Sequence, residues 1–295
     1  TAIQEEKINN KTIIPEFTKY EQIGNQFPSE KDIEEARKIL LKAKNPVIFF
    51  GRVSRSKKDW LNRVLLIEKL GATAFTDRKT GASFPTNHPM HKFPPLQFLS
   101  PNEIEFIKKS DVILSLDWVD LAGTLSQVWD KKIQSKIINV SLDSFVHNGW
   151  SMDHQGFSAS DLRIYSTPDS FVSMLLKSLK KKTKVKFGNN LLNYEQNDNS
   201  SKTDNLTLNN IAEYLMKYSD SKKISFLRLP GGWPFASWPL TDPLSFFGYD
   251  GGGGIGSGPG MSVGSALALR DIFPERLPIS IIGDGDYLMG VNALW

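Results

Sequence analysis

The stretch that most restricts the fold is 250–287. It opens on a glycine-dense loop, Asp250-Gly251-Gly252-Gly253-Gly254-Ile255-Gly256-Ser257-Gly258-Pro259-Gly260, and continues into an apolar, small-residue run over 261–269. Leu277-Pro278-Ile279-Ser280-Ile281-Ile282 then reads as a buried strand that runs straight into Gly283-Asp284-Gly285-Asp286-Tyr287. The order is loop, helix, strand, acidic turn.

That order has a chemical reading. Open parallel sheets bind ligands beyond the carboxyl ends of their strands. A carboxylate there, flanked by glycines that allow close backbone approach, suits a hard divalent cation bridging to a diphosphate. A glycine loop entering a helix offers bare N–H groups and a positive dipole end to phosphate oxygens. Gly-Asp-Gly alone is also a common turn; the preceding strand and the upstream glycine loop are the context that makes it a motif.

With Gly256-Ser257-Gly258, the Ala/Gly/Leu helix and Gly283-Asp284-Gly285 in place, the sequence resembles the diphosphate-binding domain of thiamine diphosphate enzymes. Among these it is most similar to the acetolactate synthase, 2-oxo acid decarboxylase and aldehyde lyase group. The resemblance implies thiamine diphosphate and Mg²⁺ as cofactors, with Asp284 as a metal ligand and Asp286 and Tyr287 beside the diphosphate. It also puts Ile255 under the cofactor, where it would hold the two rings in a bent shape, although an isoleucine is equally at home in a core.

Composition sets the remaining bounds. The chain has 295 residues, a net charge of +4 and no cysteine. Disulfides, thiolate metal sites and cysteine nucleophiles are therefore excluded. Much of the basic excess lies in the run 177–186, which reads as a solvated segment and makes no case for nucleic acid. No apolar span reaches membrane length and no secretory signal is visible, so a cytoplasmic protein is expected.

Upstream, residues 1–28 read as a polar connector from a preceding domain. A helix capped near Ser29 carries Ile33, Ala36, Ile39 and Leu40 at helical spacing. Strands follow at 47–51, 72–75, 111–116, 136–141 and 162–165, separated by helical patterns at 56–70, 102–109 and 167–179. Alternating strands and helices predict a parallel sheet covered on both faces. The fold class is thus α/β: a Rossmann-like central domain over 29–180, a linker over 181–206, and a truncated second α/β domain over 207–295. Gly51-Arg52-Val53-Ser54 holds one glycine, so no dinucleotide fingerprint supports a nucleotide site.

The resemblance extends to this region. Gly71-Ala72-Thr73-Ala74 and Phe84-Pro85-Thr86-Asn87-His88-Pro89 match the six-stranded central domain of the same enzymes. Where acetolactate synthases carry a glycine-rich, FAD-holding segment, this sequence has Met90-His91-Lys92-Phe93-Pro94-Pro95, which speaks against FAD. His88, His91, His147 and His154 lack the spacing of a zinc site. Residues 150–154 read as a loop histidine near an aromatic. Trp233 and Trp238 could line a pocket or pack against a partner subunit, and packing is the favoured reading.

The expected parent is a homodimeric or homotetrameric enzyme taking a 2-oxo acid or aldehyde, with the cofactor as electron sink. The resemblance puts no catalytic residue in this stretch. It implies that the activating glutamate belongs to an upstream domain and a second metal ligand, an asparagine, lies downstream of Trp295. Asn292 sits too close to the turn for that role. The stretch alone is expected to be inactive. The alternatives are an aldehyde or acyl-CoA lyase and, outside this class, a non-catalytic nucleotide-binding module.

Overall fold

The computed structural model describes residues 24–95, 98–144, 156–179, 206–221, 223–249 and 255–295, with Glu16 and Lys19. The loop start 250–254, His147, the segment 150–154, and most of the connector and linker lie outside the described residues.

The first unit is built from α1 (Glu30–Lys42), β1 (Pro46–Phe50), α2 (Lys57–Leu70), β2 (Thr73–Thr76), α3 (Pro101–Lys108), β3 (Val112–Leu116), α4 (Leu121–Val128), β4 (Lys136–Val140), β5 (Leu162–Ile164) and α5 (Pro168–Ser178). All neighbouring strands pair in parallel in the order β2-β1-β3-β4-β5. Five strands are described here, one fewer than the resemblance implies.

Successive side chains point to opposite faces and both faces are covered, which explains why β1, β3 and β4 read as apolar runs. Ile48 and Phe50 face one side with Leu114 and Ile138, under α1, α2 and α5. Val47 and Phe49 face the other with Ile113 and Ile137, under α3 and α4. Caps fix where the helices begin. Ser29 and Asp32 form a capping box on α1, and Ser100 and Glu103 form another on α3 with Pro101 at its start. The sequence reading passed over α4, whose start is marked by Asp120 accepting from the Gly123 N–H at 3.0 Å. Segment 90–95 is tied to β2: Met90 O accepts from Ala74 N at 2.8 Å, and Phe93 stacks on Phe75.

The second unit follows as α6 (Leu208–Tyr218), β6 (Ile224–Arg228), α7 (Ser257–Ile272), β7 (Leu277–Ser280), α8 (Asp284–Gly290) and a 3₁₀ turn over Val291–Leu294. β6 and β7 are parallel, with α7 as the crossover between them. β7 departs from the buried strand expected of it: Leu277 is exposed and the other three residues are half-buried.

Trp233 and Trp238 correct the expectation of a partner contact. They are 2% and 1% exposed and pack edge-on against Phe226 in the chain's own core. That core also takes in Trp60 of α2 and Ala82, so it joins the two units. Backbone bonds reinforce the joint, with Thr86 N donating to Leu240 O at 3.0 Å and Tyr249 N to Lys79 O at 2.9 Å. Among the described residues, no helix is long and apolar enough to cross a membrane.

Candidate functional site

The carboxyl ends of β6 and β7 carry the loop into α7 and the acidic turn into α8, and the fold brings these two segments together. Gly256 precedes α7 in the left-handed region at φ 106°, a conformation that favours glycine, and a Cβ there would stand 3.1 Å from Met289 Cβ. Gly290 is closer still: its Cβ would stand 2.2 Å from Gly256 O. Glycine at both positions lets the start of α7 and the end of α8 touch through backbone. Ser262 of α7 anchors the same corner, donating to Gly258 O at 2.7 Å and meeting the Ser280 hydroxyl at 2.5 Å.

The site residues expected from the sequence divide into two groups. Gly283 faces open space, and Asp284 is exposed, its Oδ1 accepting from the N–H of Gly285 at 2.9 Å. Ile255 is 60% exposed, so it is not a core residue, and its Cδ1 lies 3.8 Å from where a Cβ on Gly285 would stand. Tyr287 is also exposed. Gly256, Ser257, Gly258 and Asp286 form the second group, at the amino end of α7.

There the expectation of bare N–H groups is corrected. Asp286 Oδ1 accepts from Gly256 N at 2.6 Å and from Gly258 N at 3.2 Å. A side-chain carboxylate thus caps a helix that has no cap from its own first residues.

Two residues that the sequence reading did not single out complete this arrangement. Arg228, the last residue of β6, stands 3.7 Å through Nε from Asp286 Oδ2. Its guanidinium also lies 4.7 Å from the centroid of the Tyr249 ring. The Tyr249 hydroxyl donates to Leu229 O, and burial pushes its pKa above the ordinary phenol value. The available signal was an arginine ending an otherwise apolar strand on the ligand side of the sheet.

The donor set at the turn fits a magnesium diphosphate in part. Asp284 offers hard oxygen on a glycine-flanked turn, and Mg²⁺ is commonly held by one or two carboxylates with phosphates and water completing the shell. Among the described residues, no three His, Cys, Asp or Glu side chains gather around a common metal position. Among the described residues, Asp284 is the exposed carboxylate of the turn that such a site would draw on. The α7 amides do not fit a phosphate while Asp286 holds them.

A second ligand position of α/β sheets, the topological switch point between β1 and β3, is spanned by side chains. Arg52 Nε meets Asp117 Oδ2 at 2.8 Å, and the Ser141 hydroxyl donates to Asp117 Oδ1 at 2.6 Å. His91 is buried, with Nε2 2.9 Å from Thr76 Oγ1, and His88 Nε2 lies 3.5 Å from Glu68 Oε1. Both of these contacts lie within the first unit.

Neither a family model nor a curated protein matches the sequence. Solved structures do match the fold. One is an enzyme from Mycobacterium smegmatis described as thiamin diphosphate-dependent, with TM-score 0.71 and 19% identity over 93% of this chain and 52% of that one. Benzoylformate decarboxylase from Polynucleobacter necessarius aligns with TM-score 0.69 and 18% identity, over 96% of this chain and 52% of that one. The thiamine diphosphate-dependent 4-hydroxybenzoylformate decarboxylase of Rhodococcus jostii RHA1 gives 0.67 and 19%, over 95% of this chain and 52% of that one. The chain therefore shares its fold with these enzymes and spans about half their length.

Proposed function

We propose that this chain is part of a thiamine diphosphate- and Mg²⁺-dependent enzyme acting on 2-oxo acids, by decarboxylation or acetolactate synthase-like carboligation. The observation that carries the reading is the placement of Asp284. Its exposed carboxylate stands on an open glycine turn at the carboxyl end of a parallel strand, and that turn meets the loop that begins α7 through Gly285 and Asp286. Two of the structures described above are decarboxylases whose names specify benzoylformate or its 4-hydroxy derivative, which supports a 2-oxo acid as substrate. Within this proposal the domains divide as read from the sequence: 29–180, a linker over 181–206, and 207–295.

When bound, the cofactor supplies the electron sink for cleavage or formation of the bond next to the carbonyl. The chain's own contribution is positioning. Asp284 would hold the metal, the Gly283 and Gly285 backbone would allow close approach of the diphosphate, and exposed Ile255 would offer an apolar contact beside the turn. The activating glutamate and a second oxygen ligand would come from parts of the enzyme outside this stretch, in a dimer or tetramer. An aldehyde or acyl-CoA lyase remains the alternative within the class. The Arg52–Asp117 pair across the switch point weighs against a nucleotide module, and the packed segment 90–95 weighs against FAD.

Calorimetric titration of the full-length enzyme with thiamine diphosphate, with and without Mg²⁺, tests the proposal. Binding is expected to require Mg²⁺ and to vanish in Asp284→Ala. Binding of equal strength in that variant, or ADP bound in preference, would refute it.

A further inference from the structure

The amino end of α7 already holds an anion of the protein's own. Two of its N–H groups converge on Asp286 Oδ1, and Oδ2 faces Arg228. The side chains of Asp286 and Arg228 are each 11% exposed, so the arrangement is largely shielded from water. The carboxylate is also seated against backbone: a Cβ on Gly258 would stand 2.3 Å from Asp286 Oδ2. A helix amino end with unsatisfied N–H groups draws phosphate because donors and dipole act together. A carboxylate placed there answers both and leaves the same donors unavailable to a ligand.

We infer that Asp286 is a positioning residue, an internal anion in the place a phosphate would take, which pins the Asp284 turn to α7 and β6. The consequence for ligand binding rests on the thiamine diphosphate reading: the diphosphate is met by the metal at Asp284 and by the turn, not by the α7 amides. The pin itself does not depend on that reading. Asp286 lies two residues after Asp284 on α8, so holding its carboxylate at three contacts fixes the backbone from which Asp284 projects. Removing it releases two N–H groups and the carboxylate's contact with Arg228 together, and the turn loses its fixed distance from α7.

Site-resolved amide exchange at Gly256 and Gly258, with no ligand present, tests this. Asp286→Ala is expected to speed exchange at both amides by about tenfold or more. Asp284→Ala should leave both unchanged, and Asp286→Asn, which keeps an acceptor oxygen, should restore most of the protection. Inorganic pyrophosphate without metal should then shift these two amide resonances in Asp286→Ala and not in the wild type. Where Asp286→Ala does not fold, Gly258→Ala, whose Cβ displaces the carboxylate, takes its place with the same expected exchange. Unchanged exchange in these variants, or pyrophosphate shifting both amides in the wild type, would overturn the inference. A full-length wild-type enzyme that binds no thiamine diphosphate would defeat the functional proposal and leave this result standing.

Discussion

Asp284 and Asp286 stand on opposite sides of the first turn of α8. Two residues along a helix turn a side chain by about 200°. One carboxylate is exposed, while the other is inserted between Gly256, Gly258 and Arg228. Their substitutions should therefore separate stability from binding. Asp284→Asn is expected to change unfolding free energy by less than about 0.5 kcal/mol, as for an exposed residue. Asp286→Ala should cost about 1–2 kcal/mol through the lost cap. Urea denaturation of the two variants reads both values.

Arg63 is the largest buried charge of the first unit. It donates to Asp169 Oδ1 at 2.5 Å, to Ser83 O at 2.9 Å and to Ser54 O at 3.1 Å, joining α2 to the start of α5. Burial lowers its pKa, and the neighbouring Asp169 opposes that shift. Arg63→Met would leave the Asp169 carboxylate without its cation, and a buried pair broken on one side loses about 3–5 kcal/mol. Equilibrium denaturation should show that loss, and a change below about 1 kcal/mol would contradict it.

Two glycines of the second unit should respond oppositely to alanine. A Cβ on Gly290 would strike Gly256 O at 2.2 Å and Pro259 Cδ at 2.9 Å. Backbone cannot swing aside, so Gly290→Ala should destabilise by about 1–3 kcal/mol. Gly264, inside α7, has nothing within 4 Å of its Cβ position. Gly264→Ala should stabilise by about 0.5–1 kcal/mol, because alanine has less conformational freedom to lose in a helix. Thermal melting of both variants checks the pair of signs.

His91 should make the fold acid-sensitive. Burial, followed by the neighbouring His88, lowers its pKa from 6.5 to about 3. Between those values the unfolded chain binds a proton here that the folded chain refuses, so stability is full above pH 6.5 and falls as pH drops toward 3. The slope from this one group is at most about 1.4 kcal/mol per pH unit. His91→Gln should flatten the stability profile in that window, whatever its effect at neutral pH.

The first unit was legible because buried parallel strands are continuous apolar runs and its helices begin at Ser29, Ser56 and Ser100. What escaped was set by distant partners. α4 is short, and only Asp120 announces it. Trp233 and Trp238 look the same in sequence whether they meet a partner or their own core; Phe226 and Trp60 decide it. The glycines, Asp284 and Asp286 were all visible as a pattern. The occupation of the α7 amides by Asp286 was not, since it links residues 28 and 30 positions apart.

Trp60, Trp233 and Trp238 lie together in the core that joins the two units. Sliding one unit over the other would wet three indoles at once, a cost that opposes such a motion. The same cluster makes intrinsic fluorescence a gauge of that seam: its emission should redden when the seam parts, even while both sheets keep their strands.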